Sequence, residues 1–447
     1  MEISKKEYEY LLFAVMVALA LFRFSYLGLK YTPYLDDYIQ YSYYPQLQNK
    51  WQRVYWGGAG VLFTRPLAGL FDLLIWSRFW NSLGLAVGII SVLHGLSAVF
   101  FYKAFNMCGL RVGNLFLVFY ILMPVNCEAT YWLSAASRIV VSMFFVSLMT
   151  YFCADKRLFL FSVFNLISIW FYEQTAVLSL ALAIWVCLRQ NKKWWIAVPV
   201  ISAFFLAVFY LKFGILGDNA HRILQVNLGA FWQNIVLTLN NFLNILLGVQ
   251  FTLLTRGFAR GFAKIALDFS LLWLVCLTVL SIMFFAISQK CENQKIKVYD
   301  IAWGLFFLLV PLMPFFLLGE KGFNLRNMAP CILGLAVALD RAASSIGKKY
   351  ICVLGAILVF WFSVVSVSEV TDYSQVANQN FKLATQIAQS VKSDTETVRV
   401  KVATPKYYPQ NAPYRDHIIS MTDSDWGMTG IVRAVSGNEK VVVENIN

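Results

Sequence analysis

Two adjacent carboxylates, Asp36 and Asp37, follow shortly after the first long apolar run of the sequence. Like-charged neighbours push one pKa upward, so a paired carboxylate can accept a proton from a hydroxyl near neutral pH. The aromatic residues around the pair, among them Tyr38 and Trp56, offer flat faces of the kind that stack on sugar rings. Helix capping is the simpler explanation of the acids, and an interfacial belt is the simpler explanation of the rings.

Four further charged residues lie within or beside apolar runs: Arg65, Glu128, Arg138 and Glu173. Arg65 precedes a proline in an irregular apolar stretch, where its guanidinium either snorkels to the surface or holds a phosphate. Glu128 lies at a junction between two predicted helices, and Arg138 follows inside the next helix. Buried charges of opposite sign usually pair, so a contact of Arg138 with Glu128 or Glu173 is one interpretation, and substrate binding is the other.

A polar loop between two later helices carries Lys321 and Arg326, and Arg326 is the best candidate for binding a phosphate. An ordinary loop charge is the alternative. The eight cysteines lie in or beside apolar runs without metal-ligand spacing, so neither a disulfide framework nor a metal site is predicted. A divalent ion held by Asp36 and Asp37 is not indicated, and no cofactor is expected.

The composition places these residues in a membrane protein. The chain is 59% hydrophobic and 14% charged, with a mean hydropathy of +0.62, whereas soluble domains carry about 25% charged residues. The net charge of +13 does not indicate nucleic-acid binding, because the basic residues are scattered between apolar segments. Walker, dinucleotide and zincin motifs are absent from the sequence, which leaves nucleotide-driven transport and metalloprotease activity without support.

Nine apolar runs approach the length that crosses about 30 Å of hydrocarbon. They are residues 9–28, 82–104, 112–127, 131–153, 194–213, 266–289, 301–318, 330–347 and 350–368. A longer run, 158–188, is interrupted by Glu173, and a charge at the bilayer midplane is costly, so two short helices that meet at one surface are favoured. The expected fold is an all-α polytopic membrane protein with about eleven transmembrane helices.

Clusters of lysine and arginine orient the chain by the positive-inside rule, with a cytoplasmic amino terminus. Residues 30–80, Glu128, Glu173, the loop 319–328 and the C-terminal tail then lie outside. This orientation requires that residues 236–256, which contain three asparagines, form a bent or interfacial helix instead of crossing the membrane.

Two domains are predicted: a membrane domain, residues 1–369, with interfacial helices in 30–80, and a small extramembrane α/β domain, residues 370–447. The composition turns polar near Ser368, and residues 370–392 have helical spacing. Three β-like runs follow, at 397–403, 417–421 and 440–443.

Taken together, several short motifs resemble those of a known superfamily. They are the acidic pair after the first helix, an Arg-Pro-Leu element at Arg65–Leu67, the junction Glu128–Trp132, a Tyr-Glu-Gln helix break and a C-terminal outer domain. This pattern resembles the GT-C integral membrane glycosyltransferases, and more narrowly the phage-type Gtr O-antigen glucosyltransferases of Gram-negative bacteria.

The resemblance implies a periplasmic active site in the bacterial inner membrane. Such enzymes move a sugar, with glucose the expected one, from a polyprenyl-phosphate donor to a lipid-linked O-antigen or similar glycan. Asp36 or Asp37 would be the general base, Arg65 or Arg326 would bind the donor phosphate, and inversion is the expected outcome. The implied partners are donor, acceptor and membrane lipid, without nucleic acid.

Two alternatives compete with this function. A transporter or flippase of a lipid-linked glycan predicts acids and arginines along a path through the helices, whereas here they cluster at one predicted face. An O-antigen polymerase or ligase predicts arginine-rich outer loops and less emphasis on an acidic pair after the first helix.

Overall fold

The computed structural model of the protein describes residues 5–27, 30–46, 65–209, 228–268, 271–289, 298–317, 323–391, 397–401 and 420–446. These residues are mostly helical, with two short strands. Two candidate site residues, Trp56 and Lys321, lie outside the described residues.

The first half of the chain contains helices α1 to α10. Their bounds are Lys5–Ser25, Tyr44–Gln46, Pro66–Leu74, Leu83–Met107, Asn114–Leu122, Cys127–Tyr131, Leu133–Ala154, Leu158–Ile169, Glu173–Arg189 and Ala197–Phe209. A π-helical stretch, Tyr38–Tyr43, leads into α2, and a 3-10 helix, Trp76–Ser82, leads into α4.

The second half contains helices α11 to α19 and both strands. The helices are Phe231–Leu243, Gln250–Thr252, Phe258–Leu267, Leu271–Ser288, Val298–Leu309, Met313–Leu317, Met328–Ala343, Lys348–Ala388 and Asp425–Ser436. The strands are β1, Thr397–Val400, and β2, Val442–Asn445, and they pair in parallel.

Six helical stretches among the described residues are long and apolar enough to cross a membrane. They are Trp76–Met107, Leu133–Ala154, Phe231–Leu267, Leu271–Ser288, Val298–Phe316 and Lys348–Ala388. Three shorter apolar helices, Tyr10–Phe22, Leu158–Ile169 and Lys193–Phe209, fall below this length. Such helices are compatible with a multi-pass membrane protein.

The predicted break at Glu173 is confirmed. Helix α8 ends at Ile169 and α9 begins at Glu173, so the carboxylate lies in the first turn of α9. A negative charge is favourable there, because the first turn exposes unpaired N–H groups and the positive end of the helix dipole.

Polar contacts show that α1, α5 and α15 start at one end of the helix bundle. Tyr8 of α1 accepts a hydrogen bond from Asn114 of α5 at 3.1 Å. Gly113, just before α5, donates to Asp340 near the end of α17, and the neighbouring Arg341 lies 3.7 Å from Asp300 in the first turn of α15. We call the opposite end of the bundle, where α1 and the helical stretch Val298–Phe316 finish, the far end.

Residues 231–267 form one long helical stretch, the surface helix, whose two ends both contact the far end. Asn234 donates to the carbonyl oxygen of Phe316 in α16 at 3.4 Å. The hydroxyl of Tyr26, just after α1, donates to the carbonyl oxygen of Lys264 at 3.3 Å. Between these ends, the carbonyl oxygen of Leu254 accepts a hydrogen bond of 2.7 Å from Trp361, so the second half of the surface helix runs beside α18.

Helix α18 runs without a break from Lys348 to Ala388. The predicted domain boundary at residue 369 thus lies inside one helix, whose second half packs against the C-terminal helix α19. The β-like run at 397–403 overlaps β1, with residues 402 and 403 outside the described residues, and the run at 440–443 overlaps the first two residues of β2. In the third, 417–421, residues 417–419 lie outside the described residues and Met421 begins a 3-10 helix.

Candidate functional site

The acid-pair segment, residues 30–46, enters the far end through a backbone turn at Leu35. Leu35 has φ 41°, in the left-handed region that costs a non-glycine residue about 1–2 kcal/mol. The side chain is buried, with 3% exposure, so packing holds the turn. Directly after it, Asp37 is fully buried whereas Asp36 is partly exposed. The two acids therefore have different environments.

Each of the two carboxylate oxygens of Asp37 accepts two hydrogen bonds. Oδ1 accepts from the backbone N–H of Ser134 at 2.8 Å and from its hydroxyl at 2.5 Å. Oδ2 accepts from the hydroxyl of Tyr31 at 2.5 Å and from the N–H of Tyr34 at 2.9 Å. Since Ser134 is in the first turn of α7, Asp37 caps a helix about a hundred residues away in sequence. The capping interpretation, which had the acids cap the helix that begins beside them, is therefore wrong for Asp37: it makes no capping hydrogen bond to Tyr38–Tyr43 and caps α7 instead.

Burial raises the pKa of Asp37 to about 7, although the hydrogen bonds from Ser134, Tyr31 and Tyr34 all act to lower it. Buried Asp72 behaves likewise, with its pKa raised to about 6 by burial against the lowering effect of Arg138. Both carboxylates are therefore close to their protonation midpoints near neutral pH.

We expect the pH dependence of stability to report on Asp37. A free aspartate has a pKa of about 3.9, so between pH 4 and 7 the folded protein holds a proton that the unfolded chain has lost. The stabilisation is complete below pH 4 and is lost as the pH rises through 7, by about 1.4 kcal/mol per unit. The thermal midpoint in detergent should fall between pH 6 and 7, and Asp37→Asn should flatten that slope. An unchanged slope would contradict the assignment.

Tyr38 does not present its ring as a stacking surface. It is 2% exposed, and its ring packs edge-on against Trp80 at 5.7 Å. Its hydroxyl is buried without a hydrogen-bond partner. The predicted sugar-stacking role therefore does not fit Tyr38 in this conformation.

Arg65 and Arg326 approach each other through Tyr172. The Nε of Arg65 is 3.0 Å from Glu173 Oε1, and its guanidinium lies 4.6 Å from the centre of the Tyr172 ring. The Tyr172 hydroxyl donates to Asn327, the residue after Arg326, at 2.9 Å. The predicted Arg-Pro-Leu, Tyr-Glu-Gln and loop elements thus meet at the far end.

Trp132 connects the arginines to the acid-pair segment. The guanidinium of Arg326 lies 5.3 Å from its ring centre, and its Nε1 donates to the carbonyl oxygen of Tyr34 at 3.2 Å. Tyr34 in turn donates its N–H to Asp37. Side chains from four separate parts of the sequence therefore surround one region of the far end.

Comparison with protein-family models, with curated proteins and with solved structures finds no match to this chain.

The predicted partner of Arg138 was wrong. Arg138 pairs with Asp72 at 3.4 Å, not with Glu128 or Glu173, and both side chains are buried. Glu173 pairs with Arg65 instead. Glu128 is buried in α6, close enough to Tyr373 to interact with it electrostatically. Arg138 is therefore a structural residue, buried in an ion pair beneath the site.

Sequence reasoning missed an ion cluster that joins the surface helix to α18. Asp372 is fully buried; its carboxylate accepts two hydrogen bonds of 2.6 Å from Arg260 and one of 2.8 Å from Lys264. The basic residues recur every four positions along one helical face, which was the available signal. Among the described residues, no group of three or more His, Cys, Asp or Glu side chains could hold a metal ion.

Proposed function

We propose that the chain is a membrane glycosyltransferase. It moves a sugar, with glucose the expected one, from a polyprenyl-phosphate donor to a lipid-linked glycan at the periplasmic face of the inner membrane. The observation that supports this most is at the far end of the bundle, where Arg326 lies on Trp132 and Trp132 donates to Tyr34, two residues before the partly exposed Asp36. Arg65 lies nearby on Tyr172. A base and cations are what transfer from a lipid phosphate requires.

In this proposal Asp36 is the general base. Asp37 is unsuited to that role because it is fully buried and both its oxygens are occupied by capping hydrogen bonds. Asp36 removes the proton from an acceptor hydroxyl, which attacks the anomeric carbon while the lipid phosphate leaves from the opposite face. The configuration at that carbon is inverted, and the proton passes from the acceptor to the carboxylate.

Arg326 and Arg65 are the proposed partners of the leaving phosphate. Arg326 is partly exposed and stacks on Trp132, so its guanidinium keeps donors available for a phosphate. Arg65 is held by Glu173 and Tyr172, with 23% of its side chain exposed. We therefore assign the first phosphate contact to Arg326 and a supporting role to Arg65.

The distribution of buried charge favours an enzyme over a transporter. Among the described residues the buried charged side chains fall into two groups, one near each end of the bundle. The far-end group is Asp37, Asp72, Glu128, Arg138, Glu369 and Asp372, and the opposite group is Asp300, Asp340 and Arg341. A transport path would instead place acids and arginines along the middle of the helices.

Purified protein incubated with polyprenyl-phosphate glucose and a lipid-linked glycan tests the proposal. We expect glucosylated glycan with inverted anomeric configuration, and no product from a nucleoside-diphosphate glucose. Product from neither donor would overturn the proposed function, and product from the nucleotide sugar alone would overturn the proposed donor.

The proposed topology has about eleven crossings and places the surface helix along the outer membrane surface without crossing it. Exposed positions near its ends test this placement. Gln233→Cys and Ala266→Cys should both react with a membrane-impermeant thiol reagent applied from the periplasmic side, and Ser345→Cys, between α17 and α18, should react only after permeabilisation. Reaction at one helix end alone would mean that the surface helix crosses.

A further inference from the structure

The C-terminal helix α19 packs along the acid-pair segment through two glycines. A Cβ built on Gly427 would lie 3.4 Å from Cδ2 of Leu35. One turn later, a Cβ built on Gly430 would lie 2.6 Å from Cγ1 of Ile39, closer than real side chains approach. Gly427 and Gly430 of α19 therefore pack against Leu35 and Ile39 of the acid-pair segment. A side chain larger than hydrogen at position 430 would prevent this close approach.

The next turn continues this contact and fixes α19 to the sheet. The guanidinium of Arg433 lies 5.0 Å from the ring centre of Tyr43, while its Nε donates to the carbonyl oxygen of Val441 at 2.7 Å. The N–H of Val443 in β2 donates to the hydroxyl of Thr429 at 2.9 Å. The helix that contacts the segment is thus itself anchored by hydrogen bonds.

Gly427 of α19 contacts Leu35, the residue directly before the proposed base Asp36. Leu35 has a left-handed backbone, and such a conformation persists only where the surroundings enforce it. Asp36 follows directly, so the backbone turn at Leu35 sets the direction of the Asp36 side chain. Asp37, one residue further, is fixed on α7. Together, α7 and α19 hold the short segment on which Asp36 lies.

We infer that α19 is a positioning element for Asp36. Its glycines let it approach Leu35 and Ile39 closely enough to hold the turn that presents Asp36, while Asp37 caps α7. The catalytic meaning of this inference rests on the proposed function. Gly430 is the positioning residue with the clearest test, because any side chain there must displace Ile39.

Gly430→Ala is the direct test. The added methyl must displace the end of the Ile39 side chain, through which α19 packs against the acid-pair segment. Displacements of about 1 Å can cost about 100-fold in rate, and a side-chain end moves more easily than backbone, so we expect about a 10-fold loss of kcat. The KM for the donor should stay within twofold, since the phosphate-binding arginines lie on other elements. Gly88→Ala is the matched control, because a Cβ at 88 meets nothing within 4 Å and should leave kcat unchanged.

A compensating variant separates positioning from misfolding. In Gly430→Ala combined with Ile39→Ala, the removed side chain makes room for the added methyl, and at least half of the lost kcat should return. The thermal midpoint of each variant is measured alongside. A double variant no more active than Gly430→Ala would overturn the coupling between α19 and the segment.

A readout independent of transfer distinguishes this inference from the proposed function. Asp36→Cys is labelled with a water-soluble thiol reagent in protein that carries Cys276→Ser and Cys291→Ser, with and without Gly430→Ala. A changed labelling rate supports positioning, even if the wild-type protein transfers no sugar and the proposed function fails. If neither the labelling rate nor the kcat of Gly430→Ala changes, the positioning role is wrong.

Discussion

Asp36→Asn is expected to lower the kcat of sugar transfer by about 10² to 10⁴-fold, the range supplied by a general base. Asparagine keeps the size of the side chain and removes its ability to accept the acceptor proton. Because Asp36 is partly exposed, the thermal midpoint should change little. Transfer of radiolabelled glucose in detergent, measured beside the thermal midpoint, checks both parts. Donor binding should persist, since the arginines are untouched.

Asp37→Asn is the matched control, and it should act mainly on stability. Above pH 7, where it is ionised, the Asp37 carboxylate accepts four hydrogen bonds, and an asparagine cannot accept all of them. Each buried donor left unsatisfied costs about 1–3 kcal/mol, so the thermal midpoint should fall clearly. Full transfer by Asp36→Asn together with loss of transfer in folded Asp37→Asn would make Asp37 the base. Full transfer by both variants would remove the pair from catalysis.

The sequence predicted what depends on local chemistry. A glutamate in the middle of an apolar run is costly, so the break before Glu173 followed from composition alone. The meeting of Arg65, Tyr172 and Arg326 at one end followed from orienting the helices by their flanking charges. The different burial of Asp36 and Asp37 could not be predicted from the sequence. It depends on a left-handed turn at Leu35, and a leucine gives no sequence signal for such a turn.

Contacts between segments that are distant in the chain could not be predicted from the sequence either. Arg138 pairs with Asp72, and nothing in the sequence favoured that aspartate over Glu128. Helix α19 was missed because its glycines lower helix propensity by about 1 kcal/mol each. Its end signals were present: Ser424 accepts a hydrogen bond from the N–H of Gly427 as an N-cap, and Gly437 ends the helix with φ 70°. Reading those caps would have identified the element that contacts the acid pair.

Asp372→Asn is expected to destabilise the protein by about 3 kcal/mol or more, the cost of leaving a buried charge without its partner. Arg260 and Lys264 are 17% and 20% exposed, and both bind the fully buried Asp372 carboxylate. Asparagine keeps the shape and removes the negative charge between them. Asp155→Asn is the matched control, because its partner Arg157 is 62% exposed and such surface pairs contribute about 0–1 kcal/mol.

The same substitution should also reduce transfer, because the ion cluster fastens the surface helix to α18 beside the site. Tyr373, next to Asp372, packs its ring against Tyr34 at 5.5 Å, and Tyr34 donates to Asp37. Replacing both basic residues by methionine in Asp372→Asn removes the unpaired charges and should restore much of the thermal midpoint. An Asp372→Asn protein as stable as wild type would show that the cluster does not hold the surface helix. Restored stability without restored transfer would show that the charges also shape the site.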